Sequence, residues 1–270
     1  MTEYKNYKLL KIRVNSGVAN CTIDNPPVNL ITIELVAELM RFTYQVERDD
    51  NVRVIVFKSA DPDIFLAHFD VSVLSELPDE APPKPTELHE MNKMGEAYRT
   101  MPKVSIAMIE GIARGGGSEF LLALDMRFGA IGKAILGQPE VLVGIIPGGG
   151  GTQRLPRLMG RSRALEVVLS GGDLDAELAE RYGYINRALP PKELKKFVRN
   201  LALRIASLPA ETIAIAKKAV LAAEELPIVE GLLEETNLFN QACALPEAKQ
   251  RMKFALKMDA QSREAELGKR

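Results

Sequence analysis

With 270 residues, 46% of them hydrophobic and 26% charged, the chain has room for one large core, or for a main domain with a smaller extension. A formal net charge of −1 excludes a global field that would draw in nucleic acid or an anionic membrane surface. Cys21 and Cys243 are the only cysteines, which excludes a disulfide framework and fits a reducing, cytoplasmic setting.

The first residues, MTEYKNYKLLKIRV, are charged and lack the apolar stretch of a secretory signal. No apolar run approaches membrane-spanning length, so no membrane association is expected. Residues 8–24 read as two strands about the turn Asn15-Ser16-Gly17, with Ile12, Val14, Val18, Cys21 and Ile23 marking the apolar face. Pro26 and Pro27 end the second strand, because proline donates no ladder hydrogen bond. A helical period starts at Thr32, a capping residue, with Leu35, Leu39, Phe42 and Val46 on one side. VRVIVFKSA, 52–60, has the β-branched character of a buried parallel strand.

A helix near 70–77 is stopped by PDEAPPKP, 78–85, which reads as a surface loop, and 86–100 reads as helix again. VSIAMIEG, 104–111, is a second buried strand running into glycines, and SEFLLALDM continues as an apolar helix. Alternation of strand and helix to about residue 190 predicts an α/β fold with parallel pairing. Segments 192–206, 210–225 and 228–242 are amphipathic and helical. The division expected is a core domain over 1–195 and a C-terminal helical region over 196–270, where a partner subunit would dock. KELKKFVRNLALR, 192–204, is basic, and its period suits a solvated helix face better than an RNA-binding surface.

RGGGSEF, 114–120, and PGGGGTQR, 147–154, are not phosphate loops: no Gly-Lys-Ser/Thr follows, and neither completes Gly-x-Gly-x-x-Gly. They read as tight turns, or as exposed backbone N–H groups at a helix start able to meet a developing oxyanion. Glu119 stands in an apolar helix, where a carboxylate is costly without a task or a partner. Glu140, beside Pro139, is a second carboxylate after an apolar stretch. Two carboxylates in a dry site can be driven to different pKa values, giving one acid and one base; pairing with Arg114 or Arg154 is the equally open alternative. His89 reads as a surface residue, and Met91, Met94, Met101 and Met108 as core residues or the border of an acyl pocket.

Five stretches carry a resemblance: NPPVNLI (25–31), FLAHFD (65–70), IEGIARGGGSEFLLALD (109–125), LGQPEVLVGIIPGGGGTQRLPRLMG (136–160) and SGGDLDAELAERYGYINRALP (170–190). Together they resemble the crotonase superfamily, the enoyl-CoA hydratase/isomerase family. The resemblance implies a spiral of ββα units with a C-terminal helical trimerisation region, and a homotrimer or a dimer of trimers. It implies an acyl-CoA thioester substrate, with no cofactor beyond the coenzyme A that the substrate carries. It places the oxyanion donors on the backbone N–H groups of Phe69 and Gly116, and the hydratase acid–base pair on Glu119 and Glu140. CoA and acyl contacts would fall on Val28, Leu30, Ala67, His68, Asp70, Gly115, Pro139 and Gly148.

Gly148 stands where the hydrolase and dehalogenase branches carry an aspartate, so covalent catalysis is not expected, and hydration of a 2-enoyl-CoA leads. Double-bond isomerisation is the alternative within the family, and a non-catalytic CoA-ester or RNA binder the alternative outside enzymes. The chain departs from the family pattern at His68 and Phe69, where glycine and a small residue are usual. If position 68 needs positive φ, histidine takes it at a cost; two bulky side chains there would crowd the acyl entrance.

Overall fold

The computed structural model describes residues 3–268 and divides into two compact units, Met1–Ser207 and Leu208–Arg270. The first opens with a hairpin of β1 (Leu10–Asn15) and β2 (Val18–Ile23), followed by α1 (Ile33–Glu47), β3 (Val54–Ser59), β4 (Ile64–Leu66), α2 (Val71–Ser75) and α3 (Glu90–Thr100). Next come β5 (Val104–Ile109), β6 (Ile112–Arg114), α4 (Gly116–Leu122), β7 (Met126–Ala130), β8 (Ile135–Gly137) and a single 3-10 turn, Glu140–Val143. The unit closes with α5 (Gly151–Met159), α6 (Arg161–Ser170), β9 (Asp173–Asp175), α7 (Ala176–Tyr182), β10 (Arg187–Leu189) and α8 (Pro191–Ala206).

Two sheets share these strands. The larger runs β1-β2-β3-β5-β7-β10 and the smaller β4-β6-β8-β9. From β3 to β8, successive strands alternate between the two sheets. Pairing is parallel except at β1–β2 and β8–β9. The mixed α/β class therefore holds, as the alternating sequence pattern requires.

Local chemistry explains most boundaries. The Thr32 hydroxyl accepts from Leu35 N–H at 3.2 Å, capping α1, whose Leu35, Leu39, Phe42 and Val46 are buried as their spacing demands. All six residues of β5 are buried, as its unbroken apolar run implies. In β1 the expected apolar face is corrected: Leu10 is buried while Val14 is exposed, because β1 is an edge strand paired only with β2. Helix α4 ends at Leu122, short of the expected Met126. Asp125 leaves it to accept from both the N–H and the hydroxyl of Ser105 at the start of β5.

Behind α4 lies an aromatic knot. Phe57 meets Phe42, Tyr98 and Phe120 edge-on, with centroids 5.9, 5.3 and 5.0 Å apart. Each such pair adds roughly 0.5–1.5 kcal/mol beyond plain burial. Phe120 follows Glu119 directly, so this packing fixes the short helix that carries that carboxylate.

The expected domain boundary at 195/196 falls inside α8, and the division lies past that helix, at Ser207/Leu208. The reason is packing: Leu194, Val198, Ala202 and Ala206 are buried as α8 lies on β2, β3, β5 and β7. Its lysines stay exposed on the opposite face, which is the amphipathic reading of 192–204.

The second unit contains α9 (Ala210–Ala222), α10 (Ile228–Ala244), α11 (Pro246–Lys257) and α12 (Arg263–Glu266). Among its described side chains only Leu238 is buried in these helices, while Val229, Leu233, Phe239 and Phe254 stand exposed. No described helix is long and apolar enough to cross a membrane.

Candidate active site

Strands β4, β6 and β8 run parallel in the smaller sheet, with Leu66 beside Ala113 and Arg114 beside Gly137. Their carboxyl ends release three segments side by side: Ala67-His68-Phe69, Gly115-Gly116-Gly117 and Gln138-Pro139-Glu140. The carboxyl ends of parallel strands are where α/β folds commonly hold ligands.

The first two segments touch through backbone. A Cβ on Gly117 would stand 2.1 Å from Leu66 O, so only glycine fits there. Ile31 bridges Phe69: Ile31 N–H donates to His68 O at 3.1 Å and Asp70 N–H to Ile31 O at 3.0 Å. That pattern turns the Phe69 N–H away from Ile31, and it has no hydrogen-bond partner among the described residues. A Cβ on Gly116 would lie 3.3 Å from Phe69 N, which brings the two residues together. Gly116 opens α4, so its N–H has no intrahelical partner. Two unused backbone donors thus lie next to one another, an arrangement that can hold an oxyanion.

Buried Asn29 braces this corner. Its backbone is left-handed at φ 50°, its Oδ1 accepts from Asn25 N–H at 2.7 Å, and its Nδ2 donates to the Ser59 hydroxyl at 2.8 Å. Its carbonyl accepts from Ala67 N–H at 3.0 Å, tying NPPVNLI to FLAHFD.

Glu119 is 4% exposed, and its Oε1 accepts from Gly149 N–H at 2.7 Å and Gly151 N–H at 2.8 Å. The second glycine string is therefore a cradle for a carboxylate. Burial raises the Glu119 pKa, opposed by those two N–H donors and by the charges of Arg154 and His89. Glu140 is different: burial pushes it up to about 7, with the Glu119 charge adding to the rise. Its Oε2 is buried without a hydrogen-bond partner among the described residues. Its Oε1 lies 3.1 Å from the place a Cβ on Gly115 would take. Gly115 has φ 53° and ψ −129°, a conformation open to glycine. Behind the pair, Ser118 and Tyr184 share a short hydroxyl contact, and Gln138 Nε2 reaches Tyr184 Oη at 3.3 Å.

The chain that builds this corner of backbone donors and two unlike carboxylates has relatives of known structure. The profile described as Enoyl-CoA hydratase/isomerase matches residues 13–262. The chain belongs to this family. A short-chain-enoyl-CoA hydratase of Clostridium acetobutylicum is 30% identical over 236 residues, 87% of this chain and 89% of its own. The crystal structure of an enoyl-CoA hydratase from Bacillus anthracis has a TM-score of 0.85 at 28% identity, covering 93% of this chain and 97% of its own. A Streptomyces avermitilis structure is 44% identical with a TM-score of 0.75, covering 93% and 92%.

Within this crotonase-superfamily frame several sequence expectations resolve. Neither glutamate forms an ion pair with the candidate arginines: Arg114 forms a two-point pair with Asp173, and Arg154 bonds Glu96 at 2.9 Å and Gly149 O at 3.1 Å. His68 does not need positive φ; in this corner that conformation belongs to Gly115 and Asn29. The exposed His68 ring turns to its own chain, Nδ1 lying 2.8 Å from Phe69 O. The Asp70 carboxylate is occupied too, accepting from Ser72 N–H at 3.0 Å to cap α2. Val28 and Gly148 are exposed, while Leu30, Ala67 and Pro139 are half-buried. Met94, Met101 and Met108 are core residues, and Met91 packs against that core.

Sequence reasoning missed Asn29 as a brace and passed over His89. The His89 Nε2 lies 2.9 Å from Gly148 O, on the loop that cradles Glu119. Nothing in the local pattern of either residue signals such a long-range contact.

Proposed function

We propose that the protein is an enoyl-CoA hydratase, adding water across the double bond of a 2-enoyl-CoA thioester. The observation that carries this reading is the unequal environment of Glu119 and Glu140. Glu119, with two N–H groups on one oxygen, is suited to stay ionised and take a proton from water. The hydroxide equivalent then bonds to C3 while the C2=C3 π electrons move onto the thioester, forming an enolate. Phe69 N–H and Gly116 N–H receive its oxygen. Glu140, with one carboxyl oxygen buried without a partner among the described residues and a pKa of about 7, is suited to give its proton to C2. The proton gained by Glu119 returns to Glu140 through solvent to restore the starting state.

The finer expectations belong to the same proposal. Val28, Leu30, Ala67, His68, Asp70, Gly115, Pro139 and Gly148 would border the CoA and acyl portions, and no cofactor is used beyond the substrate's CoA. The strands alternating between sheets fit a ββα spiral. The exposed apolar helices of the second unit fit a homotrimer or a dimer of trimers in the cytoplasm. Loss of the conjugated thioester absorbance of a panel of 2-enoyl-CoAs tests the activity. A wild-type protein that hydrates none of them, yet shifts a 3-enoyl-CoA to its 2-isomer, replaces hydration with isomerisation.

A further inference from the structure

His89 stands at the N-cap position of α3, where its side chain makes no capping hydrogen bond. It reaches instead across 59 residues of sequence, placing Nε2 2.9 Å from Gly148 O. Asn92, one turn along α3, lies 2.9 Å from the same His89 nitrogen and 3.4 Å from the same carbonyl. A carbonyl oxygen only accepts, so this contact is a hydrogen bond in the tautomer that carries its proton on Nε2, and the Asn92 amide N–H then serves the carbonyl and not the ring nitrogen. The far side of that peptide unit matters more. The nitrogen bonded to the Gly148 carbonyl carbon is that of Gly149, whose N–H donates to Glu119 Oε1 at 2.7 Å.

We propose that His89 is a positioning residue that aims and strengthens the Gly149 N–H on Glu119 through the Gly148–Gly149 peptide. This deepens the hydratase reading and rests on it for its kinetic consequence. Four successive glycines, 148–151, give the loop wide backbone freedom, so a peptide plane within it needs holding from outside. His89 and Asn92 hold one carbonyl, and Arg154, itself held by Glu96, holds the next at Gly149. A donor on a peptide oxygen also polarises the opposite N–H, so the two hydrogen bonds reinforce one another. The charged groups around this clamp are Glu119, Arg154 and Glu96, with Glu87, Glu90 and Lys93 near the start of α3.

The experiment compares His89→Ala and His89→Gln in the full chain, since glutamine keeps an N–H donor of similar reach. Losing one ordinary hydrogen bond corresponds to roughly a tenfold change. His89→Ala is therefore expected to lower kcat by about that factor with KM within about twofold, and His89→Gln to recover most of it. In parallel, the Glu119 carboxyl, carbon-13 labelled and assigned through Glu119→Gln, is titrated by NMR. Its midpoint is expected to rise in His89→Ala and to return in His89→Gln. An unchanged kcat and midpoint in His89→Ala, or a His89→Gln as impaired as His89→Ala, overturns the proposal. A wild type without hydratase activity overturns the functional reading alone, because the titration still reports on the clamp.

Discussion

A methyl group on Gly149 Cα would stand 2.7 Å from Glu119 Oε2, closer than any real Cβ contact allows. The same loop residue donates its N–H to the other carboxylate oxygen. Gly149→Ala therefore obliges the Glu119 carboxylate or the loop to shift, while Gly148→Ala meets nothing within 4 Å. Steady-state kinetics should show kcat for Gly149→Ala reduced by about 10²-fold, the lower end of what one acid–base group contributes. Gly148→Ala should keep kcat within about twofold of wild type, with the effect of its place at the proposed substrate border falling on KM. Equal effects at the two positions would mean that the cradle does not position the reacting carboxylate.

Glu140 predicts a pH signature in stability. Its pKa in the fold, about 7, is raised above the ordinary carboxyl value of 4.5. The unfolded chain therefore releases this proton first as pH rises, and the stability present below the unfolded value is lost between those two pH values. At 1.36 kcal/mol per unit the loss has an upper bound of about 3 kcal/mol, and partial solvent exposure reduces it to roughly 1–2 kcal/mol. Glu140→Gln should accordingly unfold at a higher temperature than wild type at pH 8 and at a similar temperature at pH 4.5. Calorimetry at the two pH values checks this; a gain that is equal at both removes the titration from the explanation.

In the proposed hydration Glu140 gives a proton and Glu119, ionised, takes one, so kcat/KM should describe a bell. Its alkaline limb should fall through a pH of about 7, the value set by burial of Glu140 beside Glu119. A pH–rate profile that is flat up to pH 9 would assign the proton donor elsewhere.

How far the sequence foretells these relationships depends on their range. The cap at Thr32 and the buried stripe Leu35, Leu39, Phe42 and Val46 are local, and both read directly from spacing. The glycine strings announce themselves as loops, and Glu119 as an expensive carboxylate. Its partners, Gly149 and Gly151, lie 30 and 32 residues away, and spacing says nothing about them. The early end of α4 is of the same kind: Asp125 continues an apolar helix by pattern but bonds Ser105, 20 residues back. His89 looks like any exposed histidine until the fold brings Gly148 to it. Val14 fails for the opposite reason, since alternation reports a face and not the missing neighbour of an edge strand.

His68 sits exposed against Gly115, and its ring bonds only the carbonyl of its neighbour Phe69 among the described residues. His68→Gly should keep turnover of a short 2-enoyl-CoA within about threefold, since no buried group or reacting carboxylate is altered. It should also admit bulkier acyl chains, read as a flatter dependence of kcat/KM on chain length. Total loss of turnover in a folded variant would give the imidazole an acid–base role.

In the proposed reaction Glu119 and Glu140 together move the protons of hydration. Its most direct measurement is single-turnover hydration of crotonyl-CoA by wild type, Glu119→Gln and Glu140→Gln, with substrate binding measured separately. Each variant should still bind the thioester, with the chemical step slowed by roughly 10²–10⁴-fold in each. A rate that survives either substitution contradicts it.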